Sequence, residues 1–174
     1  KCDGLIEYCP LLAGNETSET ACGPCTKKST LMYDTLGVNS IQLSVFIRPE
    51  QRAAIKDWVD QLSDEELQDA TFQGTNLGRS VVVSLHSILA RGTLDLGDSR
   101  QNRIYRGHIY SAALIEIGLN QFIDHYGPDS MLCFSGVHGF HSVALDVFAR
   151  RNIRFLVHER GLVDDTFQFH NLSY

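Results

Sequence analysis

A chain of 174 residues with 43% apolar and 21% charged side chains is long enough to bury one core and too short for two large domains. Its net charge of -6 and isoelectric point near 5.6 leave no broad basic field, which excludes sequence-independent capture of nucleic acid phosphates as its main task. The longest apolar runs, among them Val81 to Val83 and Phe155 to Val157, fall far short of the roughly 20 residues that span a bilayer.

In chain order, residues 1 to 29 hold four of the five cysteines and the polar tract from Gly14 to Thr20, a composition that predicts an irregular segment packed on the domain. The domain proper is expected over 30 to 174. Thr30 to Leu36 predicts a short helix stopped by Gly37, and Ser40 to Ile47, rich in β-branched and apolar residues, predicts a strand. Pro49 suits a first helical turn, and Ile55, Trp58, Val59 and Leu62 then fall on one helical face. Ser63 and Glu66 match a capping box, so a second short helix is expected to run to about Ala70. Val81, Leu85 and Ile88 or Leu89 fit a helical stripe ended by Gly92, although Val81 to Val83 also suits a buried strand.

The stretch Gln101 to Tyr126 carries Ala112, Ile115, Glu116, Leu119, Phe122, Ile123 and Tyr126 at spacings of a long helix, and Gly127-Pro128 ends it. Met131 to Ser135, a glycine turn, a helix with Val143, Ala144, Val147 and Phe148 inward, and Ile153 to Val157 then predict strand, helix and strand. So short a crossover requires the two strands to be parallel. No internal repeat is found. The expected fold is α/β, a Rossmann-like and mainly parallel open sheet with flanking helices.

Two turns in this unit carry the chemistry. Ser135-Gly136-Val137-His138-Gly139-Phe140-His141 joins a strand's carboxyl end to a helix's amino end, where free amides and the helix dipole favour a phosphate or carboxylate. Gly136 and Gly139 either let a ligand approach the backbone or simply make a tight turn. His138 and His141 are three residues apart and can meet one ligand. His158-Glu159-Arg160-Gly161 leaves the second strand at the same edge; Arg160 suits a phosphate or carboxylate, while Glu159 or His158 can move a proton. The bland alternative is an internal ion pair of Arg160 with Glu159 or Asp164. Arg100, Arg103, Arg106 and His108 form a basic stretch that reads as a solvated face.

Among the cysteines, Cys22-Gly23-Pro24-Cys25 has the two-residue gap of a metal knuckle, and with Cys2 and Cys9 it would complete a four-thiolate structural zinc site. Two disulfides or reduced thiols are the competing readings, and Cys133 sits in an apolar strand as a core residue. Asn15-Glu16-Thr17 and Asn171-Leu172-Ser173 match glycosylation sequons, a pattern too short to carry weight. The chain starts at Lys1 without a leader and stops at Tyr174 soon after a loop, so a fragment of a longer polypeptide is expected.

Taken together, Cys2-Asp3-Gly4, the cluster ending in Cys22-Gly23-Pro24-Cys25, the strand and loop from Met131 to Gly139, and Leu156-Val157-His158-Glu159-Arg160-Gly161 resemble the N-terminal half of bacterial capsule and surface-polysaccharide glycosyltransferases with two Rossmann-like (GT-B) halves. The resemblance implies a cytoplasmic enzyme, peripheral at the inner membrane, whose acceptor is a glycan or a lipid-linked saccharide and whose nucleotide-sugar donor is held by a further C-terminal domain. It implies that Gly136 to His141 and His158 to Gly161 face the cleft between the halves, with His138, His141 and Glu159 as candidate general bases. A non-catalytic module for a phosphorylated or acidic small molecule, with a structural metal, is the second reading. A nicotinamide or flavin enzyme ranks last, because Gly136 and Gly139 do not complete the Gly-x-Gly-x-x-Gly fingerprint.

Overall fold

The computed structural model describes residues 4–9, 18–163 and 165–170. Its centre is the 28-residue helix Ser99–Tyr126, which is α5 in chain order after α1 (Ser18–Thr35), α2 (Pro49–Gln61), α3 (Leu77–Ser80) and α4 (Val82–Leu89). The sequence dictates both of its ends. Asp98 Oδ1 accepts from the Arg100 and Gln101 amides at 2.8 and 3.2 Å, and Gly127 leaves the helix at φ 55° while its amide donates to the Ile123 carbonyl. Between these ends Ile109, Ala112, Ala113 and Leu114 are fully buried, so this helix supplies the spine of the core.

Around it, α2 begins at Pro49 and buries Ile55 and Val59, as its periodicity predicts. Its last turn is held from outside: Arg106 Nη1 donates to the Val59 and Leu62 carbonyls, both at 2.8 Å, and Nη2 reaches Asp64 Oδ1 at 2.8 Å. Part of the basic stretch is therefore structural, since Arg106 satisfies carbonyls that the helix end leaves open, and His108 is buried rather than solvated.

After α5, β3 (Ser130–Phe134), α6 (Gly139–Arg150) and β4 (Arg154–Arg160) form the expected parallel unit, with Phe134 opposite His158 at its end. The third strand, β5 (Phe167–His170), pairs antiparallel with β4, giving the order β3-β4-β5. A two-residue hairpin, β1 (Thr71–Phe72) and β2 (Thr75–Asn76), stands apart. The protein is thus an α/β fold with small sheets, and among the described residues the larger sheet is mixed instead of mainly parallel. One face of that sheet packs Cys133, Phe155 and Val157 against Val143 and Val147 of α6. The opposite face leaves Leu132, Phe134, Leu156, Phe167 and Phe169 exposed.

Four local expectations are corrected. Ser40 to Ile47 is no strand: Leu43–Phe46 is a 3₁₀ turn lying on α5, where Phe46 meets Phe122 and Tyr126 with ring centroids 6.0 and 6.2 Å apart. A helix surface offers no strand edge to pair with, so apolar composition alone could not make this segment extended. The helix expected from Ser63 shrinks to the 3₁₀ turn Leu67–Asp69, although Glu66 does bond the Ser63 amide as a capping box requires. The Val81 stretch is helical, but it stops at Ala90, which takes φ 50°, before Gly92 is reached. The short helix at Thr30 is the end of the longer α1, which runs across the supposed irregular segment.

Candidate functional site

Because β3 and β4 are parallel neighbours, the turns that follow them emerge on one rim of the sheet. The first opens with Ser135 at φ 65° and Gly136 at φ 75°, tied down by the Ser135 amide donating to the His158 carbonyl at 2.9 Å. A non-glycine residue in the left-handed region costs about 1 kcal/mol, and such strain is concentrated at functional turns. Gly136 also needs its missing side chain, since a Cβ would stand 2.7 Å from Leu145 Cδ1. At Gly139 a Cβ would stand 3.1 Å from the Val81 Cα, and the Gly139 amide donates to Ser84 Oγ at 2.9 Å. Gly136 is therefore favoured by its left-handed backbone, Gly139 packs tightly against the Val81 backbone, and one amide of the helix start already has its partner.

The side chains form a continuous aromatic and imidazole cluster centred on Phe134. Its ring lies 6.3 Å from His141 and 5.3 Å from His158, while His138 and His141 are 6.5 Å apart. From the other side, Phe167 and Phe169 of β5 approach His158 at 6.0 and 6.2 Å. All three histidines singled out in the sequence thus come together, through phenylalanines that sequence reasoning did not select. Glu159, half-buried, alternates with His158 and points to the α6 side of the sheet, where its charge acts on His141. Arg160, the last residue of β4, is exposed on the His158 side, and the Gly161 amide closes the turn into β5 by donating to the Thr166 carbonyl at 2.8 Å. Asp164 lies outside the described residues.

These environments separate the candidate bases. Burial holds the His141 imidazole below its ordinary pKa, the His138 charge acts the same way, and Glu159 opposes them. Among the described residues no group bonds the buried His141 Nδ1. Beside it, His138 is exposed and Glu159 half-buried. Behind them, buried His108 bonds the Ile104 carbonyl through Nδ1 and stacks on Phe140 at 6.2 Å, which fixes the first turn of α6 from inside the core.

The cysteines stand elsewhere. Cys9, Cys22, Cys25 and Cys133 are free, Cys2 lies outside the described residues, and among those described no three His, Cys, Asp or Glu side chains gather to hold a metal ion. The four-thiolate zinc set is therefore not assembled by the residues described, and no chemistry is derived through it. Both sequons also fall wholly outside them.

No helix among the described residues is long and apolar enough to cross a membrane. No known protein family, no curated protein and no solved structure matches this chain.

Proposed function

We propose that the chain is the acceptor-side domain of a glycosyltransferase that moves a sugar from a nucleotide-sugar to a surface glycan or lipid-linked acceptor, the donor being held by a second Rossmann-like half in a protein of the GT-B kind. The observation that carries this reading is the delivery of two turns to one rim, which gathers His141 and His158 around Phe134, sets His138 beside His141 and brings the Glu159 charge to bear on His141. A carboxylate and an exposed imidazole beside the edge of a parallel pair suit removal of a proton from an acceptor hydroxyl as it attacks the anomeric carbon. The aromatic rings beside them offer flat apolar surfaces to a saccharide. The enzyme works on the cytoplasmic side of the inner membrane in this reading. The rival reading, a module for phosphorylated or acidic small molecules, is weakened because Ser84 already occupies the Gly139 amide.

The test is an assay of the full-length protein with a panel of radiolabelled nucleotide-sugars and saccharide acceptors. Transfer of label to an acceptor is expected. Donor hydrolysis alone, or no turnover with any donor, contradicts the proposal.

A further inference from the structure

An apolar cleft of ≈ 400 Å³ opens beside the rim. Its walls include Leu43 of the 3₁₀ turn, Ile115, Leu119 and Phe122 of α5, and Phe140 and His141 from the first turn of α6. Its volume falls in the range of roughly 300–1,000 Å³ of small-molecule sites. Its lining is almost wholly hydrocarbon, and its polar end is His141, whose ring lies 6.5 Å from His138 and within the electrostatic reach of Glu159.

An apolar floor that rises to a polar rim selects an amphiphile. A free saccharide gains nothing from Ile115, Leu119 and Phe122, and a pure hydrocarbon gains nothing from the histidines. We propose that this cleft binds one aliphatic chain of an amphiphile whose polar head lies at the His138–Glu159 rim; resting on the function proposed above, the chain belongs to the acceptor. The exposed sheet face formed by Leu132, Leu156, Phe167 and Phe169 is the competing place for such a chain, and it lies across the sheet from α6.

The experiment compares n-decyl β-D-glucopyranoside, kept below its micelle concentration, with methyl β-D-glucopyranoside by titration calorimetry on the full-length protein. Burial of three or four of the nine extra methylenes, at about fourfold each, is expected to tighten binding about 100-fold. Leu119→Trp, which fills the cleft, is expected to remove at least tenfold of that gain. Should this variant fail to fold, Phe122→Ala serves instead and shifts the preference toward longer chains. Equal affinity for the two glucosides overturns the inference, as does undiminished decyl binding in folded Leu119→Trp, which would place the chain on the sheet face. Sugar transfer is read separately: decyl binding lost in Leu119→Trp by a protein that transfers no sugar upholds the cleft while removing the glycosyltransferase reading.

Discussion

Replacing Glu159 by Gln is expected to lower kcat for sugar transfer about 100-fold with little change in KM, because general base catalysis contributes about 10²- to 10⁴-fold. The substitution keeps size and hydrogen-bonding capacity, so the half-buried position at the end of β4 should tolerate it. What is lost is the ability to take a proton, together with the negative charge that acts on His141. His138→Gln is expected to have an effect of similar size if the two groups share the proton. His141→Gln should cost less than about tenfold, since burial and the His138 charge hold its imidazole below the ordinary pKa and make it the weaker base. Steady-state kinetics on the three variants decide the matter. Wild-type kcat in Glu159→Gln would take the base away from this residue.

The largest effect on stability is expected at the far end of α6. Glu116 is fully buried in α5, its Oε1 accepts from Thr75 Oγ1 at 3.0 Å and from Arg150, and its Oε2 has no partner among the described residues. Arg150 also donates to the Gln73 carbonyl and to Thr75 Oγ1, so one guanidinium ties α6 to α5 and to the β1–β2 hairpin. Removing it leaves a buried carboxylate with a hydroxyl for company. Breaking a buried pair costs about 3 to 5 kcal/mol; Arg150 is 36% exposed, so about 2 to 3 kcal/mol is expected for Arg150→Ala in urea denaturation. The double variant with Glu116→Gln should recover part of the loss, because the uncompensated charge is gone.

The pH dependence of that loss has a definite sign. Burial raises the Glu116 pKa above its ordinary 4.5, against the hydrogen bonds from Arg150 and Thr75, so the folded state holds a proton that the unfolded chain releases. Stability from this group is fully present below the ordinary value and falls as pH rises through the folded one. Without Arg150 the folded value moves up further, and the deficit of the variant should shrink toward about pH 4, where both states are protonated. A deficit under about 1 kcal/mol that is flat with pH would show that the pair is not coupled in this way.

How much of this could be read from the chain depends on whether the signal is local. Local signals served well: Pro49 with Ile55 and Val59, Gly127 at the end of the long helix, and the apolar runs flanking α6 all depend on residues within a few positions of one another. The convergence of His138, His141, His158 and Glu159 was also within reach, because a parallel pair puts successive turns on one rim. Phe134, Phe167 and Phe169 were not legible as partners of the histidines, since β5 is four exposed residues behind a turn and its pairing with β4 is a tertiary fact. Ser40 to Ile47 carried a strand-like composition, but its conformation follows from the α5 surface beneath it. Glu116 did leave a trace, as a carboxylate on the buried stripe between Ala112 and Leu119, which calls for a cation from elsewhere in the fold without saying which.

The shared rim is tested most directly by amide chemical shifts. On titrating isotope-labelled protein with the saccharide that supports transfer, the resonances of Gly136 to His141 and of His158 to Gly161 should move together with a single dissociation constant. Movement of one turn alone, or of neither while another surface responds, would contradict a common site.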